Sequence, residues 1–155
     1  MISIAKLSLK RYPLLSKFNG IRLFSSSQPA SFEIDVKSVK DEGEAMKLIK
    51  KTVESNPVVL FMKGNASRPL CGFSNRVTQI LFNSSLNGPF ATVNVLANEE
   101  VGAAIKKYSD WPTVPQLYVK GKFVGGCDIV YEMYVNGSFI GLLKDNDLLS
   151  NESEV

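Results

Sequence analysis

The chain has 155 residues, 45% of them apolar and 21% charged, with no histidine and a formal net charge of +3. This length suits one domain of ordinary size plus a tail, and the lack of histidine excludes Ser-His-Asp triads, histidine general bases and histidine-containing zinc sites. The charge is uneven: residues 1–32 carry five cations and no acid, whereas 33–155 hold 13 basic and 15 acidic residues. The basicity therefore belongs to the N-terminal arm, and no nucleic-acid partner is expected.

That arm holds Lys6, Lys10, Arg11, Lys17 and Arg22 among serines and apolar residues. This is the composition of a targeting presequence, without the long apolar core of a secretory signal, and no segment is apolar enough to suggest a membrane span. "IRLFSSS" resembles a mitochondrial processing site and places the mature start near Ser25. Residues 1–32 are expected to be a disordered mitochondrial (matrix) presequence, with a plastid address or a plain basic arm as alternatives. The domain is then 33–150, followed by a polar tail at 151–155.

From Asp41 the pattern turns helical. Asp41 and Glu44 have capping-box spacing, Met46, Ile49 and Val53 share a face, and Pro57 ends the run. "VVLFM" (58–62) reads as a strand buried on both faces. A loop follows, then a helix from Cys71 to about Ser84 with Phe73, Val77, Ile80 and Leu81 at 3–4 spacing. "ATVNV" (91–95) is a second strand. "NEEVGAAIKKYS" is a helix with acids in its first turn and lysines in its last, as the helix dipole favours. "QLYV" and "FVGG" form a hairpin turning at Lys120-Gly121, and two closing helices divide at Asn136-Gly137. The strand–helix–strand unit requires a parallel pair and the hairpin adds antiparallel strands. The fold class is α/β, a thioredoxin-like mixed four-stranded sheet flanked by helices.

Cys71 and Cys127 are the only cysteines. Cys71 opens a predicted helix just after a strand, where free N–H groups and the positive end of the dipole favour the thiolate, the form that attacks disulfides and binds metals. Lys63 at the end of the preceding strand adds positive potential, and Gly72 leaves room beside the sulfur. A buried structural cysteine is the alternative. Ser74 stands where a Cys-x-x-Cys enzyme has its second thiol, and a hydroxyl cannot resolve a mixed disulfide. Cys127 follows Gly125-Gly126 at another strand-to-helix junction, as either a second functional thiol or a small packed residue. The Val114–Pro115 bond is either cis, which would turn the Val114 backbone outward, or an ordinary trans strand start.

Together, "FMKG…CGFS…WPTVPQLYVKGKFVGGCD" resembles the monothiol glutaredoxins of the CGFS type, especially the single-domain mitochondrial form, over about residues 40–149. The resemblance implies a glutathione groove. In it Lys63 pairs with the glycine carboxylate, Cys71 and Phe73 line the reactive end, and the Thr113 and Val114 backbone meets the cysteinyl part. Cys127 and Asp128 hold the γ-glutamyl end, and Lys106 matches a carboxylate-contacting position. It also implies a [2Fe–2S] cluster shared between two protomers of a homodimer, with Cys71 of each as metal ligand and two glutathiones supplying the other thiolates. The implied function is cluster transfer from an assembly scaffold to apo-proteins, with weak or no oxidoreductase turnover. The alternatives are a glutathione-dependent thiol–disulfide oxidoreductase with Cys71 as catalytic nucleophile, and an adaptor for BolA-like partners. One departure stands out: relatives often carry arginine near position 102, where this chain has Gly102. The lost charge-assisted bond weakens glutathione binding by about 1.5–3 kcal/mol unless Lys106, Lys107 or Arg68 compensates.

Overall fold

The computed structural model describes residues 28–150. Most of the arm, with the processing site at Ser25, and the tail at 151–155 lie outside these residues. In chain order the elements are β1 (Ser31–Glu33), α1 (Glu42–Ser55), β2 (Val58–Met62), α2 (Gly72–Phe82), β3 (Phe90–Asn94), α3 (Glu99–Ser109), β4 (Gln116–Val119), β5 (Lys122–Gly125), α4 (Cys127–Asn136) and α5 (Ser138–Asp145). The sheet runs β1-β3-β2-β4-β5, with β1–β3 and β2–β3 parallel and β2–β4 and β4–β5 antiparallel.

The expected mixed sheet is therefore present, with one strand more than the four predicted. The addition is β1, whose Ser31 and Phe32 fall inside the arm as drawn from sequence. All three of its residues are exposed, so it has no apolar pattern to read. Its attachment is through backbone bonds: Phe90 N–H donates to Ala30 (3.0 Å) and Ile34 N–H to Thr92 (2.8 Å).

Strand alternation sorts the core into two layers. Leu60 and Met62 of β2, with Leu117 and Val119 of β4, pack against Val77, Ile80 and Leu81 of α2, Val130 of α4 and Phe139 and Leu143 of α5. Val59 and Phe61 with Tyr118 pack on the other face against Ile49 and Val53 of α1 and Val101 and Ile105 of α3. Local signals start the helices. Asp41 Oδ1 accepts from Glu44 N–H (2.8 Å), while Glu44 Oε2 reaches back to Lys40 N–H (2.9 Å). Asn98 caps α3 through Val101 N–H and donates to the Val36 and Val39 carbonyls, tying the helix start to the chain before α1. The β4–β5 turn has Lys120 and Gly121 both at positive φ, 50° and 78°, as a two-residue primed turn requires. No helix among the described residues is long and apolar enough to cross a membrane.

Candidate functional site

Cys71 is the N-cap of α2. Lys63 and Cys71 are eight positions apart, and the loop between them doubles back. Leu70 N–H donates to the Lys63 carbonyl (2.9 Å), and Asn65 Oδ1 accepts from Arg68 N–H (2.9 Å) inside the turn. The thiol thus arrives beside the end of β2. Its pKa is held below the ordinary thiol value, first by the Ser74 N–H, then by the Phe73 N–H, the Lys63 charge and the Ser74 hydroxyl, with partial burial opposing. The thiolate is the form favoured at the N-terminus of a helix. A side chain at Gly72 would meet nothing within 4 Å, so the space beside the sulfur is open.

Ser74, the fourth position of the motif, is fully buried. Its Oγ accepts from Lys63 N–H (3.1 Å), and its carbonyl accepts from Thr78 Oγ1 (2.9 Å). This hydroxyl joins β2 to the first turn of α2 and lies out of reach of an incoming disulfide. Replacing Ser74 by Ala is expected to leave the Lys63 N–H without its acceptor and to cost about 1–3 kcal/mol in urea denaturation. The Cys71 pKa should rise slightly, since the hydroxyl is the least of its causes. The pH profile of iodoacetamide alkylation measures that shift, and a profile moved to lower pH would contradict the assignment.

All eight residues singled out from sequence line one groove of about 880 Å³. Lys63, Cys71 and Phe73 come from the β2–α2 junction, Lys106 from the last turn of α3, Thr113 and Val114 from the loop before β4, and Cys127 and Asp128 from the start of α4. Val114–Pro115 is cis. The Thr113 carbonyl is already used, accepting from the Gln116 side chain at 3.0 Å. Asp128 sits in the first turn of α4, a favourable place for a carboxylate. Cys127 is buried and its thiol is pushed up by that burial, with the nearby Arg76 guanidinium partly offsetting. Arg76 itself is stacked 4.9 Å over the Tyr131 ring. The two cysteines therefore differ, one half-exposed with its pKa lowered, the other buried with its pKa raised.

Gly102 also lines the groove. A Cβ there would lie 2.9 Å from the Val95 carbonyl oxygen, so α3 approaches the β3–α3 loop as closely as glycine permits. Of the three cations named as substitutes for an arginine, Lys107 Nζ is bound to Glu42 (2.6 Å) and Arg68 does not line the groove. Lys106 does, with Lys63.

Sequence patterns missed other parts of the wall. Trp111 received no site role from its sequence, yet it lines the groove and its indole nitrogen would lie 3.3 Å from a Cβ at Gly126. Leu96, just past the strand predicted at 91–95, is an exposed apolar residue on the wall. The one signal available for Trp111 was its place at the head of the "WPTVPQ" run, ahead of two prolines.

The glutaredoxin family profile matches residues 58–124. A probable monothiol glutaredoxin 2 of Rickettsia typhi is 47% identical over 108 residues, covering 70% of this chain and 96% of that protein. The mitochondrial monothiol glutaredoxin-5 of Saccharomyces cerevisiae is 41% identical over 142 residues, 90% of this chain and 95% of that protein. Among solved structures, reduced apo GrxS14 of poplar is 49% identical with a TM-score of 0.57, covering 64% of this chain and 90% of that one. A buckwheat glutaredoxin–glutathione complex is 25% identical with a TM-score of 0.61, covering 70% and 96%.

Proposed function

The chain belongs to the monothiol glutaredoxin family, and from that premise we propose that it binds glutathione at Cys71 and carries a [2Fe–2S] cluster as cargo between two protomers. It would take the cluster from an assembly scaffold and pass it to apo-proteins in iron–sulfur protein biogenesis. The observation that carries this reading is the single activated thiol on the groove, with a buried hydroxyl where a resolving thiol would stand. A [2Fe–2S] cluster takes four thiolate ligands. One thiolate from each of two chains and one from each of two glutathiones meets that need, and the open space at Gly72 admits the second chain.

Glutathione carries two carboxylates and one ammonium at pH 7. Lys63 and Lys106 suit the glycine carboxylate, the Val114 backbone suits the cysteinyl peptide, and the Asp128 carboxylate suits the α-ammonium beside Cys127. The buckwheat neighbour was solved with glutathione, which supports the same ligand here. The mitochondrial relative and the basic arm support a mitochondrial matrix location. A BolA-like protein is a further candidate partner.

The lowered Cys71 pKa also favours a second reading, a glutathione-dependent oxidoreductase. The Cys71 thiolate attacks a protein–glutathione disulfide, forms Cys71–S–SG and releases the protein thiolate. A glutathione thiolate then attacks the mixed disulfide, releasing Cys71 and oxidised glutathione. Anaerobic reconstitution with iron and sulfide separates the readings. Visible absorbance that requires glutathione, eluting at the size of a dimer, is expected. A colourless protein that reduces mixed disulfides well above background would favour the oxidoreductase.

A further inference from the structure

Gln116 opens β4 opposite Phe61 of β2 and is fully buried, a demanding place for a primary amide. Its Nε2 donates to two carbonyls of the preceding loop, Trp111 (3.1 Å) and Thr113 (3.0 Å). Its Oε1 is buried without a partner. An amide kept for stability alone would be expected to use both its ends. Here only the end that faces the loop is used. The same loop is tied at its start, where Trp111 N–H donates to the Lys106 carbonyl (3.1 Å) and to Ser109 Oγ (3.1 Å).

These bonds govern which backbone groups face the groove. With the Thr113 carbonyl drawn inward to Gln116, Val114 is left as the residue whose backbone is free for a ligand. No hydrogen bond among the described residues engages the Val114 N–H. We propose that Gln116 is a positioning residue for ligand binding: its side-chain amide braces the Trp111–Thr113 segment from behind and holds the Val114 backbone in register with Cys71 across the groove. It touches no ligand itself. Sequence reading offered only "PQ" at the start of a strand, and the role depends on the amide folding back over its own preceding loop.

The inference rests on glutathione being the ligand, so the test begins with the unaltered protein. Titration with glutathione by calorimetry or NMR gives a dissociation constant; absence of binding there refutes the proposed ligand, separately from Gln116. In Gln116→Met the side chain keeps its length but loses both donations. It also removes the unpartnered carbonyl, so the melting temperature should move by less than about 5 °C. Glutathione affinity should fall about tenfold, roughly 1.4 kcal/mol, while the rate and pH profile of Cys71 alkylation by iodoacetamide stay unchanged, because that small reagent does not use the loop. Tyr118→Phe is the control. Its hydroxyl is a buried, unpartnered atom on the same strand, near Ser109, and burial pushes its phenol up to about 12, so no charge is lost. It should bind glutathione like the parent. If Gln116→Met does not fold, Gln116→Asn withdraws the amide by one methylene and should show the same selective loss. Unchanged glutathione affinity, or affinity and alkylation falling together, overturns the proposal.

Discussion

Cys71→Ser is expected to abolish the visible absorbance of the reconstituted protein and its rapid alkylation at neutral pH, the latter by about a hundredfold or more. Cys127→Ala should leave both largely intact. The contrast follows from placement. The Cys71 thiol lies at the first turn of α2 with the Ser74 and Phe73 N–H groups and Lys63 lowering its pKa, whereas burial raises that of Cys127. The two profiles therefore depart in opposite directions from the ordinary thiol value. Cys71 should react with a midpoint below that value, and Cys127 with one above it. Linkage gives the same sign. The native pKa of Cys71 lies below the unfolded one, so its thiolate adds stability that is full above the unfolded value and lost as pH falls through the native one. Stopped-flow alkylation between pH 5 and 10 checks the ordering. Undiminished absorbance in Cys71→Ser would remove this thiol from the cluster.

The largest stability effect is expected at Gly64, away from the reacting atom. Gly64 follows Lys63 at φ +84°, a region that L side chains rarely occupy. A Cβ there would press on the Arg68 carbonyl oxygen and stand 2.9 Å from the Leu70 nitrogen. Both are backbone atoms of the turn that returns the chain to Cys71, so neither can yield without moving the thiol. Strain and overpacking together give Gly64→Ala a cost of about 3 kcal/mol or more, a fall in Tm of about 10 °C or more. Cys71 alkylation should slow as well. Gly88→Ala is the matched comparison. A Cβ at Gly88 meets nothing within 4 Å, and the change should stay within about 0.5 kcal/mol. Equal melting temperatures for the two variants would show that the 64–70 loop does not position the thiol.

Most elements were legible because their causes are local. Asp41 and Asn98 cap the helices they precede, "VVLFM" is fully buried, and Lys120-Gly121 makes the turn its composition predicts. β1 was not legible, since three exposed residues joined by backbone bonds leave no side-chain pattern. The eight residues read from motif order line one groove, but their sequence neighbours could not be ranked. Lys106 and Lys107 are adjacent, yet Lys106 lines the groove while Lys107 is bound to Glu42, 65 residues away. Likewise nothing local says that the Thr113 carbonyl turns inward, since that depends on a buried amide across the loop.

The sequence by itself determined the family and the order of the helices and strands after β1. The elements rest on residue type and on spacing within a turn or two of chain, and the family on motifs that follow in order from Phe61 to Asp128. The tertiary structure decided which cation faces the groove, that Ser74 is buried against Lys63 rather than offered to a disulfide, and that Val114 is the backbone left free beside Cys71. These depend on burial and on single hydrogen bonds that residue type and periodicity do not encode, from the fold-back of Gln116 onto Thr113, three residues away, to the link between Ser74 and Lys63 across the 64–70 loop.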